Sequence, residues 1–534
     1  MTERSEGASE AQTLARRTGT VASFTLASRV LGYVRDAVMA NLFGAGAAHD
    51  AYVAAHTIPN VLRRLVAEGT LMIAYVPLLA EEREKGGLAA MQRFTAAVLG
   101  ALIPVLVLLV SLGMLFPEVA VTLFAPGFDA DTADLAAQLT RVMMPFLFFI
   151  SLVAVAGGAL NTMGIFAPHA AAPIFLNLSI IGCVTAASGA FDAPITAAAW
   201  GVTFGGLAQL ILQLPFLRRT GMWVRPRLEL QHPGLRTLGR RMLPALFAMG
   251  VYQLNMVIIR QIASYMPSGQ LTCYFVASRL QEFAIGVFAV SISVAALPTL
   301  SEHAARKDAE KVFGTFERAF RATTFITVPA MATLFVLADA IVGTLFRHGR
   351  FDAGNGALTA ELVRILAFAL VPVGTVRVLV PTYYAIGDTR TPVKAATASM
   401  LTTAGLGLAL APRLEIAGLT FAILAASAVQ AVLLALWLGP ELRARVGSAP
   451  RRALKGLVGH AIRCLAAALV GTLVTGHLAS GRAWFEGDNV ENALILGALV
   501  TFQGVAYLAL AHGLGLTEGA LILSALTRRL RRRR

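Results

Sequence analysis

Residues 28–46 read SRVLGYVRDAVMANLFGAG, an apolar helical stretch that nevertheless carries Arg29, Arg35 and Asp36. About 20 mostly apolar residues are enough to cross a bilayer as a helix. A charged side chain at the centre of that bilayer costs about 2.5–3.5 kcal/mol on insertion scales. Charges repeated within one predicted span therefore need water, an opposite charge or a charged ligand nearby.

The composition of the whole chain is that of an integral membrane protein. Of 534 residues, 57% are hydrophobic and only 14% are charged, whereas soluble domains carry about 25% charged residues. Apolar runs predict an all-α integral membrane protein with about fourteen transmembrane helices. The predicted spans are 18–40, 51–79, 94–116, 136–160, 168–190, 195–217, 241–264, 271–299, 319–344, 357–386, 391–411, 416–438, 456–477 and 490–513.

The net charge of +15 follows the predicted topology and does not indicate a nucleic-acid partner. Lys and Arg collect in alternate loops, after the second, sixth, eighth and twelfth predicted spans and in the C-terminal tail. Cytoplasmic loops of membrane proteins carry this excess of positive charge. The pattern predicts that both termini are cytoplasmic.

An internal repeat divides the predicted spans into two halves. Residues 52–81 and 274–302 both begin with Tyr and end in the pattern P-x-L-x-E, and GIFAP at 164–168 pairs with GDTRTP at 387–392. The offsets of the two matches agree, which predicts two parallel six-helix lobes followed by two C-terminal helices. The predicted domains are a cytoplasmic tail 1–17, an N-lobe 18–217, a basic loop 218–240, a C-lobe 241–440, a basic loop 441–455, a helix pair 456–513 and a basic tail 514–534.

Helical geometry sorts the charges of the first span. Arg29 and Asp36 are seven residues apart and lie on nearly the same face, with Arg35 about a third of a turn away at 100° per residue. Asp36 has two interpretations: it lines a cavity, or it only holds an arginine in place.

Charged pairs recur in the second and eighth spans. Arg64 and Glu68 have the i, i+4 spacing of an ion pair, which favours a structural role, and Arg279 and Glu282 have i, i+3 spacing. Arg63 has no such local partner. Positive charges left over in both halves predict a cavity that binds an anion, and the guanidinium fork suits phosphate oxygens.

Several classes of chemistry have no motif in this chain. It contains no Walker A sequence, no HExxH, no paired-cysteine zinc pattern and no G-x-S-x-G, and its three cysteines are far apart. We therefore expect no metal site, no cofactor and no enzymatic activity. Movement of a substrate is the better hypothesis.

The N-terminal block resembles the bacterial lipid II flippase family MurJ, also called MviN. The resemblance rests on S-R-V-L-G, R-D-A, F-G-A-G, D-A, P-N-x-L-R-R and A-E-G within residues 28–69. Further matches are LNT at 160–162, RLQEF at 279–283 and TPVK at 391–394. The resemblance implies the fold of the multidrug/oligosaccharidyl-lipid/polysaccharide exporter superfamily, in the bacterial inner membrane.

The resemblance also implies a substrate and a set of site residues. The substrate is lipid II, an undecaprenyl-pyrophosphate that carries the disaccharide-pentapeptide of peptidoglycan. Membrane lipids and proteins of cell-wall synthesis or division are the implied partners, and coupling to the membrane potential or to a monovalent cation is left open. The cavity arginines fall on Arg29, Arg35, Arg63 and Arg279, and supporting or gating positions fall on Asp36, Asp50, Asn60, Glu68 and Glu282.

One position departs from the family pattern, because Ser278 stands where an aspartate often precedes the eighth-span arginine. Glu282 is then the expected partner of Arg279.

Two alternatives stay open at this point. A polysaccharide-lipid flippase of the same superfamily would share a positive cavity, whereas a multidrug antiporter would carry lone carboxylates instead. A non-transporting membrane scaffold is the third hypothesis, but the loops are too short to hold an interaction domain.

Overall fold

The structure is a computed structural model and describes residues 2–65, 70–447, 455–486 and 489–519. Every regular element within these ranges is a helix, and nine of the helices there are long and apolar enough to cross a membrane. The prediction of an all-α, multi-pass membrane protein is confirmed, and the number of fourteen spans stays a prediction. Outside the described ranges lie Glu68, residues 448–454 of the second basic loop and residues 520–534 of the tail.

The chain forms two compact units, Met1–Gly269 and Gln270–Arg534. Helix 233–264 belongs to the first unit, where it packs along helix 70–115, whereas the predicted C-lobe begins at 241. The lobe boundaries stay a prediction. The helices of the first unit are α1 Thr2–Phe43, α2 Ala47–Arg63, α3 Thr70–Leu115, α4 Pro117–Phe124, α5 Ala130–Met143, α6 Pro145–Thr162, α7 Ala167–Ala187, α8 Thr196–Arg219 and α9 Pro233–Ser264.

α3 consists of two helical rods joined by a sharp turn. Gly86 and Gly87 leave helical geometry, and Gly87 has φ +61° and ψ −148°. That conformation is open to glycine but costly for residues with a Cβ. The turn falls in the EEREKGG segment, so the predicted break between the second and third spans lies at this glycine pair.

Glycines set the close approach of α7 and α8. A Cβ on Gly201 would lie 2.7 Å from Ile180 Cα, and one on Gly205 would lie 2.6 Å from Leu176 Cδ1. Lipid tails are as apolar as leucine, so membrane helices associate through tight packing of small residues and not through the hydrophobic effect. The GxxxG spacing of these two glycines therefore holds α8 against α7.

The second unit begins at α10 and contains a second turn inside a long helix. Glu415 has φ +50° and divides the helix 390–446 into two rods. The side chain of Gln270 donates to the Glu415 carboxylate and accepts from Ile416 N at 3.2 Å, which stabilises the turn. The helices of this unit are α10 Gln270–Ala305, α11 Ala309–Val336, α12 Ala338–Phe346, α13 Ala353–Ala385, α14 Arg390–Val446, α15 Lys455–Ser480 and α16 Asn489–Gly513.

The last two helices dock onto α11 at a proline-dependent contact. Pro329 lies inside α11 and has no N–H, so the carbonyl of Phe325 loses its intrahelical donor. Tyr507 OH in α16 donates to that carbonyl at 2.8 Å. One turn earlier, the ring of His460 in α15 lies 3.2 Å from the carbonyl of Arg321. Polar contacts thus fix α15 and α16 to α11 beside a core that includes Phe325, Cys464 and Tyr507.

Candidate functional site

Arg35 and Asp36 form a buried ion pair on α1. Arg35 Nη2 and Nε donate to Asp36 Oδ1 at 2.6 and 2.9 Å, and the two side chains are only 10% and 9% exposed. Neighbouring residues on a helix do not ordinarily face each other, but the long guanidinium stem reaches across to the carboxylate. The carboxylate of Asp36 therefore neutralises Arg35. Helical spacing alone did not identify Asp36 as this partner.

Asn177 completes this network from α7. Its Oδ1 accepts from Arg35 Nη1 at 3.1 Å, and its Nδ2 donates to the carbonyl of Ser28 at 3.1 Å. The amide thus bonds both to the arginine and to the backbone about two turns before it. Asn177 joins α7 to α1 and fixes the direction of the guanidinium.

Arg29 has a different environment from Arg35 although both lie on α1. It is half-buried, and within the described ranges it makes no ion pair and no side-chain hydrogen bond. Its charge is thus uncompensated by the protein residues described, which is the condition expected of a group that binds an anion.

A polar stripe runs along α2 towards Arg63, its last residue. The ring of His56 stacks on Tyr52 with centroids 5.6 Å apart, and Tyr52 contacts His49 at 6.1 Å. Asn60 Nδ2 donates to the carbonyl of His56 at 2.7 Å. The two histidines were missed at the sequence level, although the spacing 49, 52, 56, 60, 63 on one helix face could have revealed them. The predicted pair of Arg64 with Glu68 involves a residue outside the described ranges.

Asp50 closes a contact at the other end of α2. It is only 4% exposed, and its Oδ2 accepts from Gly269 N at 2.6 Å. Gly269 has φ +89°, and a Cβ there would lie 2.5 Å from the carbonyl oxygen of Ala45. Only glycine fits this position without strain, so the carboxylate and the glycine form a latch at the N-terminus of α2.

Arg279 on α10 has the partner that the sequence predicts. Its Nη1 donates to Glu282 Oε2 at 3.2 Å, with the side chains 33% and 58% exposed. The guanidinium carbon also lies 4.9 Å from the centroid of the Phe275 ring. The Ser278 hydroxyl donates to the carbonyl of Phe275 at 2.8 Å, a hydrogen bond within its own helix. Unlike the buried pair on α1, this pair is open to solvent or ligand.

Within the described ranges, no group of three or more His, Cys, Asp or Glu side chains could hold a metal ion. Among the predicted site residues that the structure describes, the first unit holds the buried Arg35–Asp36 pair, Arg29 and the Asp50 latch. The second unit holds the more exposed Arg279–Glu282 pair.

Comparison with known protein families identifies the family of this chain. The family model described as Lipid II flippase MurJ matches residues 39–494. The chain belongs to the MurJ family. The resemblance predicted from the N-terminal block is confirmed, as is the prediction of a transporter and not an enzyme.

Relatives named as MurJ proteins are similar over most of the chain. The probable lipid II flippase MurJ of Vibrio cholerae is 36% identical over 388 residues, covering 70% of this chain and 73% of that protein. The lipid II flippase MurJ of Burkholderia cenocepacia is 34% identical over 425 residues, covering 78% and 82%.

Solved structures share the fold. A lipid II flippase MurJ in an inward closed conformation matches with a TM-score of 0.75 at 24% identity, covering 91% of this chain and 97% of that one. An inward-facing multidrug resistance transporter of the MATE family, from the MOP superfamily, matches with a TM-score of 0.65 at 15% identity, covering 79% and 98%. The family fold is therefore present across both compact units.

Proposed function

We propose that this chain is a lipid II flippase, which moves the lipid-linked peptidoglycan precursor from the inner to the outer leaflet by alternating access and so serves cell-wall synthesis. The observation that carries the proposal is the family match over 39–494, joined to arginines at membrane depth. A pyrophosphate headgroup carries at least two negative charges, and opposite charges attract several-fold more strongly in a partly buried site than in bulk water. Arginine is the side chain whose geometry matches phosphate oxygens.

The arginines divide between contact and support in this proposal. Arg29, Arg63 and Arg279 bind the pyrophosphate. Asp36 already neutralises Arg35, so the Arg35–Asp36 pair acts on the substrate only as an oriented dipole. Glu282 is exposed enough to release Arg279 when the anion arrives and to pair with it again when the anion leaves. Exchange of one negative partner for another lets the substrate bind without leaving a bare charge in the membrane.

Asp50 and Asn60 act as gating and supporting residues. The hydrogen bond from Gly269 to Asp50 lies directly before α10, the helix that bears Arg279. Breaking it takes one hydrogen-bond donor away from a buried carboxylate, which costs more than loss of an exposed hydrogen bond. The latch therefore favours one state of the gate until substrate binding offsets that cost. Glu68 keeps its predicted supporting role beside Arg64.

The proposal includes fourteen spans in two parallel six-helix lobes, two C-terminal helices and cytoplasmic termini in the bacterial inner membrane. Two observations support the count. The glycine turn within α3 falls between the predicted spans 51–79 and 94–116, and the turn at Glu415 divides α14 into two rods that are each of membrane-spanning length. Coupling to the membrane potential or to a monovalent cation, and contacts with cell-wall synthesis or division proteins, stay predictions.

Depletion of this protein in its own bacterium tests the function. We expect lipid II to accumulate in the inner leaflet and cells to lose shape and lyse, and re-expression of the unaltered chain to reverse both effects. Accumulation of a surface-polysaccharide lipid with normal lipid II export would contradict the proposal and favour the related flippase.

A further inference from the structure

The segment between α8 and α9, residues 221–232, is an extended strap that is fixed to α3. Arg227 N donates to the carbonyl of Ala96 at 2.9 Å, and Gln92 Nε2 donates to the carbonyl of Gly221 at 2.5 Å. The fit is close, since a Cβ on Gly100 would lie 1.9 Å from the carbonyl oxygen of Arg227. The strap thus has a defined position along α3.

An ion pair ties the far end of the strap to the same helix. Arg93 donates to both carboxylate oxygens of Glu229, with Nε 3.1 and 3.3 Å from them. This hydrogen bond from Arg93 holds the pKa of the Glu229 carboxyl below its ordinary value. The tether therefore stays charged at neutral pH.

The outer face of the strap combines exposed apolar and cationic side chains. Leu228 and Leu230 are 71% and 66% exposed, and Trp223 is half exposed with the Arg218 guanidinium 5.1 Å from its ring centroid. The exposed arginines nearby make no ion pair within the described ranges. They are Arg218, Arg219, Arg225 and Arg227.

The height of this face suits a membrane interface. Ala96 and Gly100, which contact the strap, lie at the start of the predicted span 94–116, where headgroups meet the hydrocarbon. Tryptophan is enriched at that level, and arginine near a leaflet of anionic lipid gains about 1 kcal/mol, or roughly fivefold in affinity, per residue.

From this placement we propose that the 221–232 strap binds the headgroups of acidic phospholipids. The arginines contact the phosphate, and Trp223, Leu228 and Leu230 enter the glycerol and upper acyl region. A soluble anion would use the arginines alone, and the exposed apolar side chains between them favour a lipid. This proposal does not depend on the flippase proposal.

Native mass spectrometry of the purified, detergent-solubilised full chain tests the proposal. Phosphatidylglycerol and phosphatidylcholine with the same acyl chains are titrated against the unaltered protein and against the Arg219→Gln/Arg225→Gln/Arg227→Gln variant. We expect the variant to bind phosphatidylglycerol at least tenfold more weakly, with phosphatidylcholine binding unchanged. Raised salt should weaken phosphatidylglycerol binding only in the unaltered chain.

A matched variant removes three arginines elsewhere, Arg347→Gln/Arg350→Gln/Arg413→Gln, from loops predicted on the opposite side. It should keep full phosphatidylglycerol affinity. All proteins should have the same melting temperature because none of the substituted side chains forms an ion pair or hydrogen bond within the described ranges. Trp223→Ala should weaken both lipids equally. The proposal is overturned if the strap variant keeps its phosphatidylglycerol affinity, if the control loses as much, or if millimolar inorganic phosphate displaces the lipid.

Discussion

At the scale of single residues, exposure separates the two arginine–carboxylate pairs formed by predicted site residues. The Arg35–Asp36 pair is about one-tenth exposed, whereas Glu282 in the Arg279 pair is 58% exposed. Removing one partner of a buried pair leaves a charge without solvent or counter-ion, whereas an exposed pair contributes little to stability. We therefore propose that the first pair is structural and that the second is available to a ligand.

The Asp36→Asn variant tests that distinction. It leaves the Arg35 charge buried, and we expect it to lower the free energy of unfolding by about 3–5 kcal/mol. The matched Glu282→Gln variant should lower it by less than about 1 kcal/mol. Thermal unfolding of the detergent-solubilised proteins, followed by tryptophan fluorescence, measures both. Equal losses of stability would contradict the assignment.

Arg29 should show the opposite behaviour, with loss of function and no loss of stability. Because no described residue pairs with it, Arg29→Ala removes no described ion pair or hydrogen bond but removes a proposed phosphate contact. We expect the variant to insert at normal levels and to fail as the sole copy in a depletion strain. Arg29→Lys should restore growth only in part, because the charge is kept and the bidentate fork is lost. Normal growth of the alanine variant would refute the role.

At the scale of helices, the packing of α7 against α8 is set by the missing side chain of Gly205. A leucine there would collide with Leu176, whose Cδ1 and Cα lie 2.6 and 3.0 Å from the Cβ position. Overpacking of this kind costs about 1–3 kcal/mol, so Gly205→Leu should lower the melting temperature. Gly182→Leu on α7 is the control, since nothing lies within 4 Å of its Cβ position, and it should be neutral. A neutral Gly205→Leu variant would show that the helices do not approach as described.

The contact between α16 and α11 gives a second prediction for helices. Tyr507→Phe removes the hydrogen bond to the Phe325 carbonyl, which Pro329 leaves without a backbone donor. Because an unsatisfied buried carbonyl costs about 1–3 kcal/mol, we expect Tyr507→Phe to lower the free energy of unfolding by about that amount. Tyr384→Phe, at a hydroxyl with no described hydrogen bond, should change nothing. Maleimide labelling of Cys464, buried in the same core, should speed up only in Tyr507→Phe, with the other two cysteines replaced by serine. Unchanged labelling would contradict the inference that this hydrogen bond holds α16 against α11.

At the scale of the whole molecule, hydropathy predicts the helices because about 20 apolar residues must pair their backbone groups internally in lipid. Their long-range contacts are less predictable. The Arg279–Glu282 pair follows from i, i+3 spacing on one helix, but the partner of the Phe325 carbonyl is a tyrosine 182 residues away. The turn at Glu415 lies in the break predicted between the spans 391–411 and 416–438. Its positive φ was not predicted, because such a φ at a residue other than glycine has no compositional signal.

The membrane topology is the prediction for the molecule as a whole, and reporter fusions test it. Alkaline phosphatase fused after Asp192 should be active because the 188–194 loop is predicted outside, and fused after Lys307 it should be inactive. Green fluorescent protein should give the reverse pattern, and it should also fluoresce at the C-terminus. Three predicted spans separate the two fusion points, so activity on the same side at both would mean that a span has been miscounted. The reversed pattern would place the basic loops outside, and the 221–232 strap would then face the outer leaflet.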